Sequence, residues 1–155
     1  MEEFKRILVV SRMTKHCREA VHFGISLARK YNAELSILHV VHNPFGLEGW
    51  NLPIISLEKE YEKIFEEAKA DLDRVIRQEK AKGFPIKELI RKGDPTEEVL
   101  KTVKEERIDL LILLAHEEWR LEHFLFGRSN DELLRKMPCS ILLVKKEPGS
   151  VTPDE

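Results

Sequence analysis

The chain has 155 residues, 42% hydrophobic and 35% charged, which suits one domain around one buried core. Lys and Arg number 26 against 28 Asp and Glu, a formal net charge of −2. Without a basic excess, a dedicated nucleic-acid binder is excluded. No apolar run reaches the roughly 20 residues of a membrane span, and the start Met1-Glu2-Glu3-Phe4-Lys5 does not have the pattern of a signal peptide. Cys17 and Cys139 stand far apart without metal-type spacing, so a cytoplasmic protein with reduced thiols is expected.

The run Arg6-Ile7-Leu8-Val9-Val10-Ser11 reads as a strand buried on both faces. Thr14 is placed to cap the helix that follows, in which Ala20, Phe23, Gly24, Leu27, Ala28 and Tyr31 form an apolar stripe ending at Asn32-Ala33. Glu34 to Val41 is a second strand, and the Asn, Gly and Pro of His42 to Pro53 predict a long loop. Ser56 opens the longest helix, with a stripe of Leu57, Tyr61, Ile64, Phe65, Ala68, Leu72, Val75 and Ile76 and with Gly83 just past its end. Ile86 to Arg91 carries interleaved charges, which suits a sheet edge.

Gly93-Asp94-Pro95-Thr96-Glu97 predicts a helix start, with Asp94 as N-cap, Pro95 at the first helical position and Glu97 at the capping-box position. Glu97 and Lys101 are spaced for a pair along that helix. Asp109 to Leu114 is a continuous apolar strand, expected at the centre of the sheet. After a polar stretch, Ser129-Asn130-Asp131-Glu132 caps a short helix that ends before Pro138, and Ser140 to Val144 is the last strand. Residues 147–155 are expected to be a flexible polar tail to a domain spanning 1–146.

Strands that alternate with helices imply an α/β fold: a doubly wound, five-stranded parallel sheet with helices on both faces, Rossmann-like. Ligands in such sheets sit beyond the carboxyl ends of the strands, where the winding reverses. That rule selects Ser11, Arg12 and Met13; Val40, Val41 and His42; Gly93; and His116, Glu117, Gly127, Arg128 and Ser129.

The chain resembles the universal stress protein family along nearly its whole length. The resemblance rests on Ile7-Leu8-Val9-Val10 leading into a helix with Ala20, on Leu38-His39-Val40-Val41, on Gly93-Asp94-Pro95 followed by Ile108-Asp109-Leu110-Leu111-Ile112, and on the block from Gly127 through Pro138-Cys139 to Val144. It implies an adenine nucleotide alpha hydrolase-like fold and pairing of two copies through the last strand, at Ile141, Leu142, Leu143 and Val144. ATP-binding members carry Gly, two residues, Gly, nine residues, then Gly followed by Ser or Thr. Anchored on Gly127, those positions hold Leu114, Glu117 and Arg128, and Arg12 stands where such members have an adenine-contacting Asp. Glycines let backbone N–H groups approach phosphate oxygens, and Glu117 would add negative charge beside them. ATP binding of the family type is therefore expected to be weak or absent, and no cofactor is expected, with ATP or AMP as the alternative.

Arg12 and Arg128, with Arg120, could instead hold another anion bidentately; the competing reading pairs them with Glu117 or Glu118. His116, Glu117 and His123 lack the two-histidine zinc spacing, so no metal is expected. His39 lies inside a strand, where a hydrogen-bonded structural role is the default. Cys17 sits near a helix start, and Cys139 is expected to be buried and inert. No nucleophile has a base beside it, so no catalytic residue is assigned. Trp119, Leu121, Phe124, Leu125 and Phe126 form an apolar group suited to core packing or to a partner. The sequence thus points to a homodimeric binding or adaptor protein of the stress response with an unknown protein partner. The alternatives are an ATP- or AMP-binding switch and a small-molecule hydrolase or transferase.

Overall fold

A computed structural model describes residues 3–11, 17–41, 54–115 and 130–145. In chain order these form β1 (Arg6–Ser11), α1 (Cys17–Tyr31), β2 (Glu34–Val41), α2 (Ile54–Ala81), β3 (Ile86–Lys92), α3 (Pro95–Glu105) and β4 (Leu110–Leu114). A short helix over 130–136, here α4, and β5 (Ser140–Val144) follow. The five strands make one sheet in the order β3-β2-β1-β4-β5, and every pairing is parallel.

The two faces of the sheet bury separate cores. Ile7, Val9, Leu35, Ile37, Leu110 and Ile112 meet Ala20, Val21, Ile25 and Ala28 of α1 and Leu72 and Ile76 of α2. Leu8, Val10, Leu38, Val40, Leu111 and Leu113 meet Val99 and Val103 of α3 and Leu133 of α4. Alternate residues of each central strand therefore enter opposite cores, which is why those strands are apolar without interruption. The helices change face between β3 and β4, so the fold is doubly wound, as the sequence predicts.

Local chemistry explains most boundaries. Asp94 accepts a hydrogen bond from the Glu97 backbone N–H at 3.0 Å, and Pro95 opens α3; this cap satisfies one of the free N–H groups of a helix start. Asn32 (φ 53°) follows α1, and Gly83 (φ 85°) lies just past α2 in the left-handed region that glycine tolerates. Asp109 ties the starts of two central strands together. Its carboxylate accepts from the backbone N–H groups of Lys5 (2.8 Å) and Arg6 (3.1 Å), while its own N–H donates to the Arg6 carbonyl.

Some expectations are corrected. Phe23 is 46% exposed, because α1 turns Ala20, Val21, Gly24, Ile25 and Ala28 to the sheet instead. Gly24 is required there: a β-carbon would collide with the Val9 side chain. α2 begins at Ile54 and not at Ser56, and β3 extends to Lys92. No ion pair joins Glu97 to Lys101 among the described residues. Thr14, the tail 147–155, and the side chains of Leu57, Tyr61, Ile64, Phe65 and Ala68 lie outside the described residues.

Candidate functional site

The winding reverses between β1 and β4, which are neighbours in the sheet although α1, β2, α2, β3 and α3 separate them in the chain. The crevice of a doubly wound sheet opens at that point, beyond the carboxyl ends of the two strands. Its described floor is Ser11, fully buried at the end of β1, and Leu114 and Ala115 at the end of β4. Leu114 belongs to the ladder, in register with Val144, and its side chain packs on the core beneath α1. The Ala115 N–H donates to the Val144 carbonyl at 2.8 Å, so β4 stays paired to its last residue.

Asn130 closes this end of β4. It is 3% exposed, and its Nδ2 donates to the Leu114 carbonyl at 3.0 Å. Its Oδ1 is buried without a hydrogen-bond partner. The sequence reads this residue only as part of a helix cap; the bond to Leu114 depends on the fold bringing positions 16 apart together.

The other predicted site residues divide. Val40 is buried in the core on the α3 side. Val41 ends β2, and Gly93 is exposed with φ 139°, immediately before the α3 cap. Arg12, Met13, His42, His116, Glu117, Gly127, Arg128 and Ser129 lie outside the described residues, as do Arg120, His123 and the group from Trp119 to Phe126. Among the described residues no cluster of three or more His, Cys, Asp or Glu side chains could hold a metal. No described helix is long and apolar enough to cross a membrane.

Two polar features lie away from the crevice. His39, buried on β2, faces Glu88 of β3 at 3.3 Å through Nε2, and Lys80 of α2 reaches the same carboxylate at 3.1 Å. Burial alone pushes the Glu88 carboxyl up, but Lys80 and His39 outweigh it and hold the group below its ordinary value. Glu79, also buried, is paired with Arg29 and Lys82, and Arg29 stacks over Phe84 at 5.2 Å. At the amino edge of the sheet lies an open cavity of about 510 Å³ over Leu35, Phe84, Ile86 and Ile108. Its rim cations Arg6 and Lys87 are engaged by Glu34 and Glu106. Cys139 is half-buried, less enclosed than expected; burial and then the charge of Asp109 push its thiol up, which keeps it protonated and unreactive.

The universal stress protein family model matches residues 3–145. The chain belongs to that family. Universal stress protein MJ0577 of Methanocaldococcus jannaschii is 29% identical over 156 aligned positions, covering 93% of this chain and 96% of that protein. Among solved structures, a universal stress protein family protein of Arabidopsis thaliana with AMP bound superposes with a TM-score of 0.61 at 14% identity, covering 97% of each chain. A universal stress protein in complex with cAMP superposes with a TM-score of 0.58 at 18% identity, covering 92% of this chain and 98% of that one. At these identities the two structures establish the shared fold. Family membership makes the chain a universal stress protein of the stress response.

Proposed function

We propose that this universal stress protein is a homodimeric, cytoplasmic binding or adaptor protein, not an enzyme, and that its crevice does not take ATP in the manner of ATP-binding relatives. The end of β4 carries this reading. Where the family pattern has a glycine, Leu114 is held in the ladder with its side chain committed to the core, so no bare backbone is offered to a phosphate there. The described residues at this end therefore do not fit a triphosphate. The crevice candidates remain Ser11, Arg12, Met13, Val40, Val41, His42, Gly93, His116, Glu117, Gly127, Arg128 and Ser129. The dimer would form through β5.

Calorimetry with ATP, AMP and Mg²⁺ tests the reading. A ligand at 100 times its Kd stabilises the fold by about 2.7 kcal/mol, so a melting curve offers a second readout. No ATP response is expected; micromolar ATP binding overturns the reading in favour of a nucleotide switch, which the AMP- and cAMP-bound relatives make the second reading. Turnover of ATP or of a simple ester, abolished by one substitution in the crevice, would establish an enzyme.

A further inference from the structure

We infer that the cavity at the amino edge of the sheet is a ligand site in its own right. It takes a small monocarboxylic acid with an apolar body and holds the carboxylate between Arg6 and Ser36. The cavity lies at the opposite end of the strands from the crevice, so the inference is independent of what the crevice binds.

The sheet register builds the polar part of the site. Arg6 stands opposite Glu34, and Ser36 stands between Leu8 and Lys87. Leu8, Leu38 and Leu89 pack on the α3 side, and alternation along each strand sends Arg6, Glu34, Ser36 and Lys87 to that same face. All four line the cavity. The turn after α2 adds Phe84 to the lining, and the turn after α3 adds Ile108. Phe84 is braced by Arg29, whose guanidinium stands 5.2 Å from the ring centre. Ile86 and Ile108 are buried, so these walls are already in place. A cavity of about 510 Å³ with an apolar wall and a few polar groups has the size and make-up of a small-molecule site.

The charges select the ligand. Ser36 is 7% exposed, and its hydroxyl has no hydrogen-bond partner among the described residues. Three cations line the cavity, Arg6, Lys80 and Lys87, against two carboxylates, Glu34 and Glu106. Lys87 is held by Glu106 at 2.6 Å, and Lys80 is answered by Glu88, which is not part of the lining. Arg6 is held least: it meets Glu34 through Nε at 3.4 Å, with the two side chains 42% and 79% exposed. So solvated a pair contributes little and opens readily. A guanidinium matches a carboxylate bidentately, and the Ser36 hydroxyl can donate a further bond to it. A cationic ligand would add to the positive excess. A doubly charged phosphate would lose more hydration than one guanidinium and one hydroxyl replace.

The test applies phenylbutyrate and its neutral carboxamide to the intact protein, read by calorimetry and by backbone amide NMR. Phenylbutyrate should bind with sub-millimolar affinity, at least tenfold more tightly than the carboxamide, and its shifts should centre on Ser36, Ile86 and Ile108. Arg6→Gln should lose at least tenfold in affinity. So should Ser36→Val, which suits a strand but cannot donate. Absence of phenylbutyrate binding, equal binding of the carboxamide, undiminished affinity in either variant, or shifts centred on Ser11 overturns the inference. Should one variant fold poorly, the other variant and the carboxamide carry the comparison with the same consequences.

Discussion

The two edges of the sheet are built to opposite rules. β3 carries charge at four of its seven positions, Lys87, Glu88, Arg91 and Lys92, and local pairs hold it: Lys87–Glu106 at 2.6 Å, Arg91–Glu105 at 3.1 Å and Lys80–Glu88 at 3.1 Å. β5 reads Ser-Ile-Leu-Leu-Val with no charge. Of its residues Val144 is buried, Ile141 and Leu142 are half-buried and Leu143 is 44% exposed, with Leu134 (37%) and Met137 (58%) on or just beyond the neighbouring α4. An open edge presents unpaired backbone groups to any passing strand, and charge is the usual protection. Among the described residues, one edge of the sheet is defended by charge and the other is not. The difference teaches where a second copy would be received, by an interface in which the same strand meets itself across a two-fold axis.

The largest effect should come from charging the undefended edge. Leu143→Lys is expected to halve the mass measured by light scattering, because two lysines would face each other across the two-fold; an unchanged mass breaks the comparison. The reciprocal experiment sharpens it: Ile90→Lys, at the 65% exposed position of β3, should leave the mass unchanged and the stability within about 0.5 kcal/mol.

Between these lies Glu88→Gln. The native carboxyl is held below its ordinary value by Lys80 and His39. Its contribution is therefore present above the unfolded-state pKa and is lost as pH falls through the lower folded-state value. Denaturation should show a deficit for the variant of at most about 1 kcal/mol at neutral pH, since the pair with Lys80 is partly solvated, and the deficit should shrink on acidification. A deficit that persists at pH values where the native carboxyl is protonated would mean that packing, not charge, holds this edge.

Much of this fold was legible in the residues because the same device recurs: buried strands need continuous apolar runs, and helix starts need a short polar cap. Ile7 to Val10, Leu110 to Leu114 and Asp94-Pro95 each state their structure within a few positions. The interleaved charges of β3 even announced an edge. The site was less legible because its contacts join residues distant in sequence. Nothing near position 130 points to the Leu114 carbonyl, and Glu88 meets His39 only once the register of β2 and β3 is fixed, with Ile37 opposite Glu88. Phe23 faces outward because α1 offers two overlapping apolar sets that share Ala20, Gly24 and Ala28, and the set completed by Val21 and Ile25 is the one buried on the sheet.

The strand order also has a consequence for synthesis. β1 lies between β2 and β4, and Val9 pairs with Ile112, more than a hundred positions later. While the first two-thirds of the chain emerge from a ribosome, β3-β2-β1 can assemble, yet the inner flank of β1 stays bare until Leu110 to Leu114 arrive. A contact so remote in sequence is slow to close and leaves apolar surface open to other chains meanwhile. The nascent chain should thus depend most on chaperones in the interval between completing β3 and exposing β4.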